Sequence, residues 1–269
     1  HSNMNISIKG GDFQLKTTDD AVHADGDVNI SGGKILVSES YEGIEGSRVN
    51  ISDGEIKIFA TDDGINAAGG SDETGNQGPF GADFFSQMGD YNINISGGTV
   101  TLYTSSDGVD SNGTLDITGG TVAIFINNTR DGDATDCDGG GTIAPALYSY
   151  KAASKGTTLS LSSGFSITLE ADATAFCLIL PGIEDGESYE ILADGQIHES
   201  VTATTTIQGM MMGTRQNGQG GFPGGGEMPE MGEMPEMGEM PEMGERPQRP
   251  NGGERPDKGA AQNGTGELT

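Results

Sequence analysis

Residues 27–68 read DVNISGGKILVSESYEGIEGSRVNISDGEIKIFATDDGINAA, and within them the chain says the same thing twice. NISGGKILV is followed by NISDGEIKIF, and YEGIEG by DDGINA. Gly33 to Gly54 is a step of 21 residues, and so is Glu42 to Asp63. The pattern recurs upstream as IKGGDFQLKTTDDAVHADG and downstream as NISGGTVTLYTSSDGVDSNG and DITGGTVAIF. A fixed period of this length marks a stacked-repeat architecture in which each unit buries its apolar face against its neighbours.

The apolar positions fall as doublet, doublet, singlet. The first four units are Ile6/Ile8, Phe13/Leu15, Val22; Val28/Ile30, Ile35/Val37, Ile44; Val49/Ile51, Ile56/Ile58, Ile65; and Ile93/Ile95, Val100/Leu102, Val109. Leu115/Ile117 and Val122/Ile124 open a fifth. Each doublet is an alternating strand with two inward side chains. Gly pairs such as Gly32-Gly33 and Gly97-Gly98 supply the turn between the first and second strands, where positive φ is wanted. Three short strands per ~22 residues without helical periodicity predict an all-β fold: a right-handed parallel β-helix. A six-residue period, which a left-handed hexapeptide helix would need, is absent.

The array is assigned to residues 1–140. Between Ile65 and Ile93 it is interrupted by an insertion over about residues 70–91 that carries Phe80, Phe84, Phe85 and Tyr91. Long loops on rigid scaffolds are often functional, so these rings are either a self-packed lid or a sugar-stacking platform. Residues 127–141, NNTRDGDATDCDGGG, read as a break in the repeat. Residues 141–212 alternate in short runs (Leu159/Leu161, Ile167/Leu169, Phe176 to Leu180, Tyr189/Ile191, Val201 to Ile207) separated by Pro-Gly and Asp-Gly turns. They predict a small antiparallel meander covering the C-terminal end of the helix. Residues 213–269 collapse to Gly, Glu, Met and Pro around an EMPEMG repeat and are expected to form a disordered tail.

The formal net charge is −28, and residues 1–212 contribute 31 acidic and 8 basic side chains, so about −23 resides outside the tail. That balance excludes nucleic acid, whose phosphates need Lys and Arg. No apolar run approaches the ~18 residues of a transmembrane helix. Cys137 and Cys177 are the two cysteines, and their spacing leaves pairing open. The chain opens on His1, which reads as a processed form or a fragment. The array is at full strength by Ile6, so head-to-tail assembly of copies into a filament is the structural alternative to a binding role.

Stacking the units exposes a second periodicity. Two residues before each singlet stand Asp20, Glu42, Asp63 and Asp107; one residue after it stand His23, Glu45, Asn66 and Asp110. Equivalent positions in adjacent rungs lie roughly 4.8 Å apart, and bare carboxylates at that spacing repel. Calcium, with six to eight oxygen ligands, suits such a corner; otherwise these are solvated acids, with Asp-Gly serving as a turn dipeptide. Asp131, Asp133, Asp136 and Asp138 form a second oxygen-rich loop whose spacing departs from the EF-hand pattern.

At ADGDVNISGG (24–33), SYEGIEG (40–46) and TDDGINAAGG (61–70) the chain resembles a family of secreted bacterial carbohydrate-binding domain-containing proteins, and the resemblance extends over about residues 3–208. It implies a calcium-loaded parallel β-helix similar to polysaccharide lyases that binds cellulose and acidic sugars such as polygalacturonate outside the cell. His23 and Asn66 depart from an all-acidic column. A pectate-lyase-type β-elimination would need a basic residue near calcium, for which Arg48, Arg130, Lys34 and Lys57 are available. Lys34 and Lys57 are read as outward neighbours on one strand ladder with Thr99 and Thr121. The expectation is therefore a calcium-stabilised, non-catalytic polysaccharide-binding protein.

Overall fold

A computed structural model describes residues 1–68, 90–128 and 132–210. Phe80, Phe84, Phe85, Arg130, Asp131 and the EMPEMG tail lie outside these. Among the described residues there is no helix; the fold is a parallel β-solenoid of about five turns with a separate antiparallel sheet.

Each doublet or singlet becomes one strand position on one of three faces. The first face stacks β1 (Ile6–Ile8), the opening segments of β3 (Val22–Ser40) and β4 (Ile44–Ala60) that follow their first corner, β6 (Asn92–Ile95), β9 (Thr114–Ile117) and β12 (Gly141–Ile143). The second face stacks β2 (Asp12–Leu15), the ends of β3 and β4, β7 (Thr99–Thr104) and β10 (Thr121–Ile126). The third stacks the starts of β3 and β4, then β5 (Ile65–Ala67), β8 (Val109–Ser111) and β11 (Thr135–Cys137). The registers are the ones the doublets require: Val28, Val49, Ile93 and Leu115 are partners in succession, as are Ile35, Ile56, Val100 and Val122. All of these are buried and form one continuous interior. The column of turn glycines has positive φ at Gly33 (99°), Gly54 (121°), Gly98 (83°) and Gly120 (89°), which only glycine adopts without strain.

The apolar residues of the first rung are less buried than those of the rungs that follow. Ile6, Ile8 and Leu15 are half-buried there and Phe13 is 37% exposed, whereas their equivalents in later rungs are fully buried.

Two expectations are corrected at the other end. Residues 132–137 do not break the repeat: β11 continues the third face, pairing Thr135 with Val109, Asp136 with Asp110 and Cys137 with Ser111. The inward singlet of the fifth rung is thus a threonine, which the aliphatic pattern could not flag. Its hydroxyl lies 3.0 Å from the Tyr148 hydroxyl, so burial leaves it partnered. The antiparallel strands also do not simply cap the end. The strand β16 (Ala175–Ile179) extends the second face antiparallel to β10, with Cys177 opposite Ile124 and Ile179 opposite Val122, and the short strand β13 (Ala146–Ser149) follows antiparallel to β16. Their inward residues join the interior, and β19 (Gly209–Met210) closes the third face on β11.

The remaining strands, β14 (Thr158–Leu161), β15 (Ser166–Thr168), β17 (Ser188–Ala193) and β18 (Gln196–Thr202), form a four-stranded antiparallel sheet in the order β15-β14-β17-β18. Asp194 (φ 49°) and Gly195 (φ 77°) make its two-residue hairpin turn. This sheet packs on the flank of the solenoid, not on its end. The outward residues of the second face, Phe59, Tyr103, Phe125 and Phe176, build an aromatic file with successive ring centroids 4.7, 5.0 and 6.1 Å apart. That file shares a second core with Leu159, Leu161, Leu169 and Ile191. The Tyr103 hydroxyl accepts the Glu170 N–H at 3.0 Å. Tyr103→Phe removes that acceptor while keeping the ring, and is expected to lower stability by about 1 kcal/mol, measured as the shift in a urea melt. Cys137 and Cys177 are both buried free thiols.

Candidate metal corner and comparison with known proteins

The columns predicted from spacing are real and longer than expected. His23, Glu45, Asn66, Asp110 and Asp136 occupy one register position in successive rungs. Asp20, Glu42, Asp63, Asp107 and Asp133 run beside them at the corner entering the third face. Asp133 and Asp136 therefore belong to the same ladders as the residues above them and do not make a second loop site. Asp138 is exposed.

Backbone and side chains lock this corner together. Asp20 Oδ1 accepts the Glu42 N–H at 3.2 Å, Asp63 Oδ1 the Asp107 N–H at 2.8 Å, and Asp107 Oδ1 the Asp133 N–H at 2.5 Å. Each of these carboxylates thus spends one oxygen on the next rung, and the second oxygen of Asp20 lies 3.1 Å from His23 Nδ1. Asn66 donates from Nδ2 to Glu42 Oε1 at 2.9 Å. Carboxylate oxygens of Asp63, Asp107 and Asp110 lie within 4.8 Å of one another.

The glycine that follows the first column has a different reason from the one expected. Gly43, Gly64 and Gly108 do not have positive φ, so Asp-Gly is not serving as a left-handed turn dipeptide here. A Cβ at Gly64 would stand 2.6 Å from the Gly108 carbonyl oxygen, and one at Gly108 2.2 Å from Ile124 Cγ2 and 2.6 Å from the Ala134 carbonyl oxygen. The rungs pass too closely at this corner for any side chain.

Electrostatically the corner is unfavourable as it stands. Burial pushes the Glu42 carboxyl up to about 9, and Glu45, Asp20 and Asp63 add to the rise against the Asn66 hydrogen bond. Asp110 is pushed up to about 8 by burial, then by Asp63, Asp107 and Asp136. Burial likewise raises Asp107 to about 7, and Asp63 and Asp136 to about 6. Three basic side chains are engaged elsewhere: Lys34 with Glu55 at 2.7 Å, Lys57 with Glu170 at 2.6 Å, and Arg48 with Asp27 at 2.8 Å and Asp90 at 3.0 Å. Lys34 and Lys57 are not ladder neighbours. Glu55 is the partner of Lys34, and Lys57, three residues past Gly54, pairs with Leu36 and Thr101.

Three buried oxygens in the corner, Glu42 Oε2, Asn66 Oδ1 and Asp136 Oδ1, have no hydrogen-bond partner. Buried acceptors are rarely left so. Converging oxygens of carboxylates and an amide, with acceptor capacity to spare and no Lys or Arg paired to them among the described residues, are the donor set that a hard divalent cation such as calcium takes. The residues present fit that ion. Tyr91, from the expected aromatic platform, is half-buried against the solenoid interior.

Residues 1–43 match the family model of carbohydrate-binding domain-containing proteins. No curated protein and no solved structure matches the chain. The matched segment comprises the first rung and most of the second, and ends at Gly43, one residue beyond Glu42. It therefore includes Asp20, His23 and Glu42 at the head of the columns. This match and the β-solenoid fold are compatible with a polysaccharide partner.

Proposed function

We propose that the protein is a calcium-stabilised polysaccharide-binding module that works outside the cell on plant cell-wall or acidic glycans, and that it does no chemistry on them. The orphaned buried oxygens between the two columns carry the calcium part of this reading; the glycan part rests on the family match. Asp63, Asp107, Asp110, Asp133 and Asp136 would hold calcium at the lower rungs, and Glu42 and Asn66 above them, while Asp20 and Glu45 are engaged by His23. Bound calcium supplies positive charge on a chain that otherwise repels uronates. The non-catalytic reading is supported by the described basic residues. Lys34 and Arg48 are each held by carboxylates that raise them, which disfavours their neutral forms as proton acceptors.

Calorimetric titration of the calcium-loaded protein with oligogalacturonate, followed at 232–235 nm, tests this. Heat that disappears in EDTA, with flat absorbance, is the expected result. Growing absorbance would mean an unsaturated product and a lyase. No heat with either oligogalacturonate or cellulose would remove the glycan reading.

A further inference from the structure

The head of the second column differs from the rest in kind. Ser2 bridges to Ala24 in parallel, donating its N–H to the His23 carbonyl at 2.9 Å, while Asp25 donates to the Ser2 carbonyl at 2.9 Å. That register places His1 one rung above His23, in the column continued by Glu45, Asn66, Asp110 and Asp136. The two imidazoles stack with centroids 4.3 Å apart. Oxygen ligands thus give way to nitrogen ligands over the top two positions.

His23 is oriented from behind. Its Nδ1 lies 2.9 Å from Glu45 Oε2 and 3.1 Å from Asp20 Oδ2. Two carboxylates at that nitrogen suit an Nδ1–H donor, the tautomer whose lone pair is on Nε2. Nε2 is buried without a hydrogen-bond partner, on a side chain only 6% exposed, and faces Asp25 Oδ1 at 3.6 Å. His1 Nε2 lies 3.3 Å from the same Asp25 oxygen. All three atoms are within 4.8 Å of one another. Ligands bound tetrahedrally at about 2.0–2.1 Å from zinc stand about 3.4 Å apart, so the 3.3 and 3.6 Å separations are near that edge length before any ion arrives. A carboxylate holding the far nitrogen of a ligating histidine is the usual outer support of such a site.

We propose that His1, His23 and Asp25 form a zinc-class transition-metal site, chemically distinct from the oxygen corner below it. Imidazole nitrogens favour zinc over calcium, and three protein ligands leave one position open for water or a ligand group. Glu45 and Asp20 are positioning residues here, held by the His23 proton.

The test uses the full chain in millimolar calcium, titrated with zinc by calorimetry and with cobalt(II) by visible absorption. One zinc per chain and a tetrahedral cobalt band are expected. His1→Ala, at an accessible position, and His23→Asn, whose Nδ2 stands where the imidazole Nδ1 stood and still donates to Glu45 and Asp20, should each weaken zinc at least ~10-fold with the fold unchanged by circular dichroism. Asp110→Asn should leave zinc binding intact. Absence of zinc binding, or affinity unchanged in either histidine variant, would overturn the assignment. The outcome is independent of whether calcium fills the lower rungs.

Discussion

Chelation at pH 8 is expected to lower the melting temperature of the protein by about 5–11 °C for each occupied calcium site. This follows from about 2.7 kcal/mol per site at a hundredfold excess over the dissociation constant and 2–4 °C per kcal/mol for a chain of this size. The same melt in EDTA has an unusual dependence on pH. Glu42, Asp63, Asp107, Asp110 and Asp136 are all raised in the folded state, to between about 6 and about 9. A carboxyl with a raised folded value costs nothing below its unfolded value near 4. Its cost accumulates as pH climbs toward the folded value, because folding then demands a buried charge or a retained proton. The cation-free protein should therefore be more stable at pH 5 than at pH 8, the reverse of most carboxylate-rich proteins. Calcium should remove the slope by supplying the missing counter-charge. Differential scanning calorimetry across pH 5–9 with and without calcium reads both effects. A melt indifferent to EDTA at pH 8 would discard calcium from the corner.

Gly108→Ala is expected to cost about 3 kcal/mol or more, toward or beyond the upper end of ordinary overpacking, visible as a melt lowered by roughly 6–12 °C. Its added methyl would enter the space of Ile124, a buried side chain, and of the Ala134 carbonyl on the next rung. The backbone oxygen cannot move without opening the ladder between β8 and β11. Gly10→Ala is the control, since nothing lies within 4 Å of a Cβ there and its φ is not positive. That change should be neutral, or slightly stabilising through the unfolded chain. Equal losses at both sites would mean that glycine is required for flexibility along the chain and not for clearance at the corner.

These contrasts show what the sequence carried. The inward doublets were legible because a period of two, repeated at ~22 residues, leaves no other way to bury Val28, Val49, Ile93 and Leu115 on one line. The carboxylate columns were legible for the same reason, since a register fixed by the interior also fixes what stands outside. Thr135 hid the fifth rung because its burial depends on the Tyr148 hydroxyl, a contact made by a strand outside the repeat. Residues 175–179, apolar on both faces, look like any buried strand; nothing local says that Cys177 faces one core and Phe176 another. The aromatic file of Phe59, Tyr103 and Phe125 stands on three successive rungs, but the doublet pattern registers only the inward side chains. His1 and His23 stand 22 residues apart, one full repeat, which was the available signal for the nitrogen-bearing head of the column.

Because every rung donates one residue to each column, ion capacity in this architecture is counted in rungs. Duplicating a repeat unit would lengthen the corner by one strand spacing and add a ligand to each line, while the flanking sheet still sat on Tyr103 and Phe125. Deleting one would shorten the ligand register by the same step. If cations fill the corner as proposed, the chain measures out their sites as a ruler measures length, in whole divisions, and the identity of the side chain at each mark sets which metal that division prefers.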